Sequence, residues 1–214
     1  MNISDLLNGA SEFKQSTFKK NREIYINLVK NGQHPKTLFI GCSDSRVVPN
    51  LITNSDPGDL FVYRNIGNFV PPFNPKVEFH GTAAAIEYAV SHLLVSDIIV
   101  CGHTHCGAIK GVFERETLDT KSMAHLRKWL ELGERAKSIV EKMATKQNLT
   151  LDEKLKQTEQ ISIIFSMQNL LTYEGVTQRI MDGTLSIRGW YYKIETGEIL
   201  YYNEEEMKFL SIDA

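Results

Sequence analysis

Three residues in this sequence carry groups that bind a transition metal, at spacings that can bring them together. His103-Thr-His-Cys106 puts an imidazole and a thiol on one short turn of chain, and Cys42 supplies a second thiol from far upstream. Zinc prefers thiolate sulfur and imidazole nitrogen; three protein ligands plus one exchangeable position is the pattern of a catalytic site, four that of a structural one. On spacing alone two readings stay open: Cys42, His103 and Cys106 form a Cys2His metal set, or the cysteines are buried as small hydrophobes. Of the three cysteines, Cys101 follows the second reading, because it ends the apolar run Ile98-Ile99-Val100. His105 sits beside Cys106, so their side chains should diverge, which leaves His103 as the better-placed nitrogen ligand.

Asp44 and Arg46 follow Cys42 at alternate positions in Gly41-Cys-Ser-Asp-Ser-Arg46. An acid two residues from a thiolate ligand can reach the same metal, and an arginine two residues further can hold that acid in a bidentate pair. Asp44 therefore has two available partners, and the choice between them would gate the fourth metal position. The alternative is an ordinary polar turn with Arg46 in solvent.

Parallel strands can carry such ligands at their ends. The runs at 37–41, 60–64 and 97–102 are short and apolar, as expected of buried parallel strands, and the first and third end in glycine. Apolar positions Ala83, Ile86, Ala89, Val90, Leu93 and Leu94 predict an amphipathic crossover helix over 78–95. Strand, helix, strand in that order implies a parallel sheet with right-handed crossovers. Ligands bind such sheets beyond the carboxyl ends of the strands, where Cys42 and Cys106 fall. Residues 4–31 read as helical, in one or two pieces, stopped by Asn31-Gly32. A short helix is expected over 108–113, and 121–182 as mainly helical with most of the charged surface. A strand over 184–194, a hairpin turn at 195–198 and a return strand over 199–203 close the chain. The fold expected is α/β: a mainly parallel central sheet flanked by helices, with a C-terminal antiparallel edge strand, in one domain spanning 1–214 with 1–31 as a helical arm.

A chain of 214 residues suits one such domain. Its net charge of −2 gives no electrostatic case for nucleic acid. The N-terminus lacks a basic start with an apolar core, so it does not read as a secretory signal, and no run approaches the ~20 apolar residues of a membrane span. Free cysteines suit a reducing compartment, so a cytoplasmic protein with no membrane partner is expected.

Cys42-Ser-Asp-Ser-Arg46 and His103-Thr-His-Cys-Gly107, with Tyr63-Arg-Asn-Ile-Gly-Asn68 and Phe69-Val-Pro-Pro72 between them, resemble the signature motifs of β-class carbonic anhydrases. The resemblance covers most of the chain, weakly over 115–160. It implies one Zn2+ per subunit on Cys42, His103 and Cys106, with water or hydroxide in the fourth position, and reversible hydration of carbon dioxide to bicarbonate. It implies Asp44 and Arg46 as the catalytic pair, with Asp44 moving onto zinc in a closed state. Gln33, Phe61 and Tyr88 stand where plant-like members carry substrate-pocket residues contributed by two subunits, so a homodimer or homotetramer is implied. Members inhibited by bicarbonate carry Trp three residues before the first zinc cysteine; here Phe39 stands there, which points to the plant-like subtype. Phe39, Phe61 and Tyr88 also read as core packing. Gly107 opens the helix beside Cys106, where backbone N–H groups suit an anionic product, though a tight turn alone would also want glycine.

Two rivals share this site: a zinc scaffold or bicarbonate sensor without activity, and a hydrolase of carbon disulfide or carbonyl sulfide. A cysteine phosphatase needs a longer loop between Cys and Arg than the three residues present here. A P-loop is absent, since 102–111 has no Gly-Lys-Ser/Thr.

Overall fold

A computed structural model describes residues 1–77 and 80–212. The arm is three helices, α1 (Ile3–Gln15), α2 (Thr17–Lys20) and α3 (Arg22–Asn31), with no buried residue in any of them. It breaks at Ser16, whose hydroxyl donates to the Glu12 carbonyl at 2.7 Å, the kind of local side-chain bond that competes with helix continuation. Gly32, at φ +79°, ends α3, as the Asn31-Gly32 pair predicts.

The strands are β1 (Thr37–Cys42), β2 (Leu60–Asn65), β3 (Asp97–His103), β4 (Ser186–Tyr192), β5 (Ile199–Asn203) and β6 (Lys208–Ser211). Between and beyond them run α4 (Pro49–Thr53), α5 (Gly81–Glu87), α6 (Gly107–Phe113), α7 (Ala124–Leu130), α8 (Glu134–Gln147), α9 (Leu151–Leu170) and α10 (Glu174–Met181). The start of the helix expected over 78–95, at Glu78, lies outside the described residues; from Gly81 it is helical, finishing in a π turn over Tyr88–His92.

Among the described residues the sheet has six strands in the order β2-β1-β3-β4-β5-β6. The first four run parallel, and β5 and β6 return antiparallel. The expected single return strand, β5, thus has a further partner in β6, whose Lys-Phe-Leu-Ser carries too short an alternation to be read from sequence. The two central strands, β1 and β3, are apolar along their middles because both faces are covered: Leu38, Ile40, Ile98 and Val100 are fully buried on the side of Ile86, Val90, Ile163 and Leu170. The chain leaves β1 to one side to make β2 and returns on the other to make β3. The crevice between the β1 and β3 carboxyl ends is therefore the topological switch point of the sheet.

Helix α9 starts at a capping box in which Thr150 and Glu153 satisfy each other's backbone N–H groups. Its inner face, Glu159, Ser162, Ile163, Ser166, Met167 and Leu170, repeats at three and four residues. Two strand glycines let it approach: a Cβ on Gly102 would stand 2.7 Å from Ile163 Cδ1, and one on Gly189 2.6 Å from Met167 Sδ. Ile163 is β-branched and fully buried, so it has little room to yield. Gly102→Ala should therefore lower stability by about 1–3 kcal/mol through overpacking; an unchanged midpoint in urea unfolding would show that the helix can shift instead.

Candidate metal centre

Cys42 is the last residue of β1 and His103 the last of β3, and these strands are hydrogen-bonded neighbours with Gly41 opposite Cys101. Beyond β3 the chain turns through His105, at φ +56°, and Cys106 then caps α6. The turn brings the Cys42 and Cys106 sulfurs and a His103 ring nitrogen within 4.8 Å of one another, and all three residues are buried. Among the described residues this is the one cluster of His, Cys, Asp and Glu side chains with that geometry.

The cluster fits zinc on an observation independent of residue type. His103 Nδ1 lies 2.8 Å from the Thr104 carbonyl, to which it donates. That bond fixes the tautomer and leaves Nε2 with a lone pair, and Nε2 is buried with no hydrogen-bond partner. An unpartnered buried acceptor is costly, and a metal ion between it and two thiols removes the cost. Thr104 is itself held by the Tyr192 carbonyl at 3.0 Å, by Ile194 N–H at 3.0 Å and by Glu195 at 2.6 Å. The imidazole is thus oriented through a braced peptide. A hydrogen bond from Cys106 holds the Cys42 thiol down to about 4, against the effect of burial. The Cys106 thiol is pushed up by the same bond and by burial.

Asp44 is tied to Arg46 and stands outside the cluster. Arg46 Nε donates to Oδ1 at 2.9 Å and Nη2 to Oδ2 at 2.7 Å, with the Arg46 backbone N–H also on Oδ1 at 3.0 Å. These bonds hold the carboxyl well below the usual carboxylate range, Arg46's side chain first. Arg46 Nη2 also reaches the His105 carbonyl at 3.1 Å, joining the two metal-bearing loops. Arg64 donates to the Cys42 and Asp44 carbonyls at 2.9 and 2.7 Å and so holds the same loop from beneath.

The remaining predicted positions divide. Gly107 borders the cluster, and a Cβ there would meet nothing within 4 Å; steric need does not account for the glycine. Phe61 and Tyr88 meet each other, ring centroids 5.6 Å apart, but Phe61 pairs with Leu38 near the start of β1. Four residues of strand, ~13 Å, separate that level from Cys42. Gln33 is exposed and precedes β1 altogether. Within one chain these three do not join the metal cluster. Cys101 is fully buried beside Phe39 and Ile99, as expected of a core thiol.

Glu159 and Tyr191 touch the site unannounced by the sequence. Glu159 Oε1 accepts the Cys106 backbone N–H at 2.9 Å, and Tyr191 O–H donates to Oε2 at 2.6 Å. The one signal for Glu159 was its place on the inner stripe of a helix read as charged surface. A cavity of about 290 Å3 opens on the cluster and is lined by His105, Cys106, Gly107 and Glu159, and one of about 880 Å3 is lined by Ser43, the neighbour of Cys42, with Asn65 and Trp129.

A sequence profile described as carbonic anhydrase matches residues 37–199. A carbonic anhydrase from Synechocystis is 40% identical over 198 residues, covering 92% of this chain and 70% of the relative. One from Helicobacter pylori is 38% identical over 206 residues, covering 96% and 92%. The solved β-carbonic anhydrase CcaA superposes with a TM-score of 0.91 at 38% identity, over 99% of this chain and 92% of that one. A tetrameric β-carbonic anhydrase of Sordaria macrospora does so at 0.80 and 29%, over 92% and 95%. With a thiol–imidazole–thiol cluster at the sheet's switch point and relatives matching along nearly its whole length, the chain belongs to the β-class carbonic anhydrase family.

Proposed function

We propose that this chain hydrates carbon dioxide reversibly to bicarbonate and a proton, with one Zn2+ held by Cys42, His103 and Cys106. The observation that carries the reading is the unpartnered His103 Nε2 facing two buried thiols. Zinc bound there supplies Lewis acidity, which makes water a nucleophile near neutral pH. Asp44 has the part of hydrogen-bond acceptor for that nucleophile, aligning its lone pair toward carbon dioxide. Arg46 keeps Asp44 ionised and away from the metal, which leaves the fourth position free for chemistry. A structural site would be closed by a fourth protein ligand, and the engagement of Asp44 by Arg46 supports the catalytic reading over a scaffold or sensor. Gly107 leaves open space for the anionic product beside the first turn of α6.

Gln33, Phe61 and Tyr88 form the wall of a plant-like carbon dioxide pocket in this reading. Their separation from the metal within one chain supports their service to the site of a second subunit. Phe39, fully buried and edge-on to Trp190 at 6.3 Å, takes the place of the tryptophan of bicarbonate-inhibited members, which supports the plant-like subtype. Ile3, Leu6, Leu7 and Phe13 expose an apolar face on α1; with the tetrameric Sordaria relative, it supports a homo-oligomer, dimer or tetramer. Residues 1–214 then make one domain with 1–31 as its arm. Among the described residues no helix is long and apolar enough to cross a membrane; the three unpaired thiols support the cytoplasm as compartment.

Stopped-flow carbon dioxide hydration by zinc-loaded and metal-stripped protein tests the reading, at mildly alkaline and mildly acidic pH. Fast hydration by the loaded form alone, stronger at alkaline pH, is the expected result. A zinc-loaded protein that does not hydrate carbon dioxide at either pH would refute it.

A further inference from the structure

Glu159 is a carboxylate only 5% exposed, and among the described residues its hydrogen-bond partners are the Cys106 backbone N–H and the Tyr191 hydroxyl. Burial pushes its carboxyl up against both of those bonds. A buried acid without a cation partner is expensive to keep, and neither bond serves the helix that carries it. Cys106 precedes α6, so its N–H has no helical acceptor. That donor sits on the residue whose sulfur must meet Cys42 and His103. The direction of the Cα–Cβ bond, and with it the sulfur, follows from where this backbone nitrogen is held.

We infer that Glu159, aligned by Tyr191, is a positioning residue for the Cys106 thiolate. The carboxylate fastens the Cys106 peptide to α9, the longest helix of the chain, which is capped at Thr150 and seated on β3 and β4 through Gly102 and Gly189. Tyr191 lies on β4, fully buried, two residues along from Gly189, and fixes the second carboxylate oxygen. The ligand is thereby referred to the sheet from two directions. The loop at 104–106, strained at His105, is not left to place it alone. The two carboxyl oxygens take one donor each, which an amide side chain with its single oxygen does not offer. The inference rests on the metal assignment and not on the reaction.

Glu159→Gln keeps the size of the side chain but turns an amide NH2 toward one of the two donors. Tyr191→Phe keeps the ring and removes only the hydroxyl. Outer-shell partners of metal ligands typically change metal affinity by ~10–100-fold. Glu159→Gln should therefore lose zinc to a chromophoric chelator about 10–100-fold more readily than the parent. Its cobalt-substituted form should show displaced thiolate-to-metal charge-transfer bands. Tyr191→Phe should move both readouts the same way by a smaller factor. A plain packing role would lower the melting temperature of the metal-free protein and leave the cobalt bands in place. Folded Glu159→Gln with parental chelator transfer and cobalt spectrum overturns the inference. If Glu159→Gln does not fold, Tyr191→Phe decides on the same two readouts, and a parental result there overturns it. A parent protein that takes up neither zinc nor cobalt overturns the metal assignment itself, an outcome distinct from a variant that matches a loaded parent.

Discussion

Cys106→Ser should come through dialysis with little zinc and hydrate carbon dioxide no faster than the metal-stripped parent, whereas Cys101→Ala should keep both metal and rate. The two thiols are close in sequence and both buried, but their surroundings assign them opposite fates. Cys106 presents its sulfur to Cys42 and the lone pair of His103. Cys101 presents its own to Phe39 and Ile99, where burial pushes the thiol up to about 12 and keeps it from ionising. Serine matches cysteine in shape but offers a hydroxyl that stays protonated and is a poor ligand for a borderline-soft ion. Since enzymes commonly accelerate reactions by ~10⁶-fold or more, loss of the metal should show as at least ~10³-fold in kcat/KM. Cys101→Ala removes one sulfur from a packed core and should cost about 1 kcal/mol of stability. Metal content by atomic emission and stopped-flow rates check both variants; Cys106→Ser with a full complement of zinc would remove it from the ligand set. Loading has a pH sign as well. Burial and the bond to Cys42 push the Cys106 thiol up, and a thiol must lose its proton to become a metal ligand, so zinc uptake should release acid and weaken as pH falls.

Much of this site was legible because thiols and imidazoles are scarce and their chemistry is specific. Cys42 and Cys106 could be placed at strand ends from apolar runs that stop at glycine. The crossover rule made β2 and β3 parallel across the helix between them, though only the strand order put β1 and β3 side by side. Asp44 and Arg46 were legible because their pairing is local, two residues apart, and the sheet need only hold the loop. Glu159 was not, because glutamate is common in helices and its partner is far away along the chain. Nothing in 121–182 distinguishes a glutamate that faces Cys106 from the many that face water until α9 is laid on Gly102 and Gly189. The inner stripe of α9 also carries two serines, which masks its apolar period. Gln33, Phe61 and Tyr88 mark a different limit. Their positions relative to the motifs were readable, but one chain separates them from the metal by most of the length of β1. The break of the arm at Ser16 is likewise a side-chain bond that helix periodicity does not encode.

Asp44→Ala should keep its zinc and lose on the order of 10²-fold or more in kcat, within the ~10²–10⁴ typical of positioned acid–base groups. Zinc retention follows because Asp44 stands outside the metal cluster, its carboxylate engaged by Arg46. Arg46→Ala is the more informative partner. It removes both side-chain bonds to the carboxylate and the bridge to the His105 carbonyl, so Asp44 is neither held off the metal nor held ionised. In the parent, Asp44 lies well below the usual carboxylate range, the Arg46 side-chain bonds being the largest cause. Its ionised form therefore persists as pH falls through the range where an ordinary carboxylate, near ~3.9, takes up a proton. Without Arg46 the carboxyl moves back up towards the usual carboxylate range, so the part of the low-pH loss of kcat/KM that comes from protonating Asp44 should set in at higher pH than in the parent. Stability obeys the same sign. A depressed native carboxyl stabilises the fold above its unfolded value and loses that contribution only as pH falls through the native one. Arg46→Ala should therefore be less stable than the parent at neutral pH and converge with it in strong acid. Arg46 is half exposed, so the stability difference should be small and the kinetic one large. If Arg46→Ala retained the parent's rate and acid limb, Asp44 would need no partner to stay off the metal, and the gate would rest on the Arg64-held loop alone.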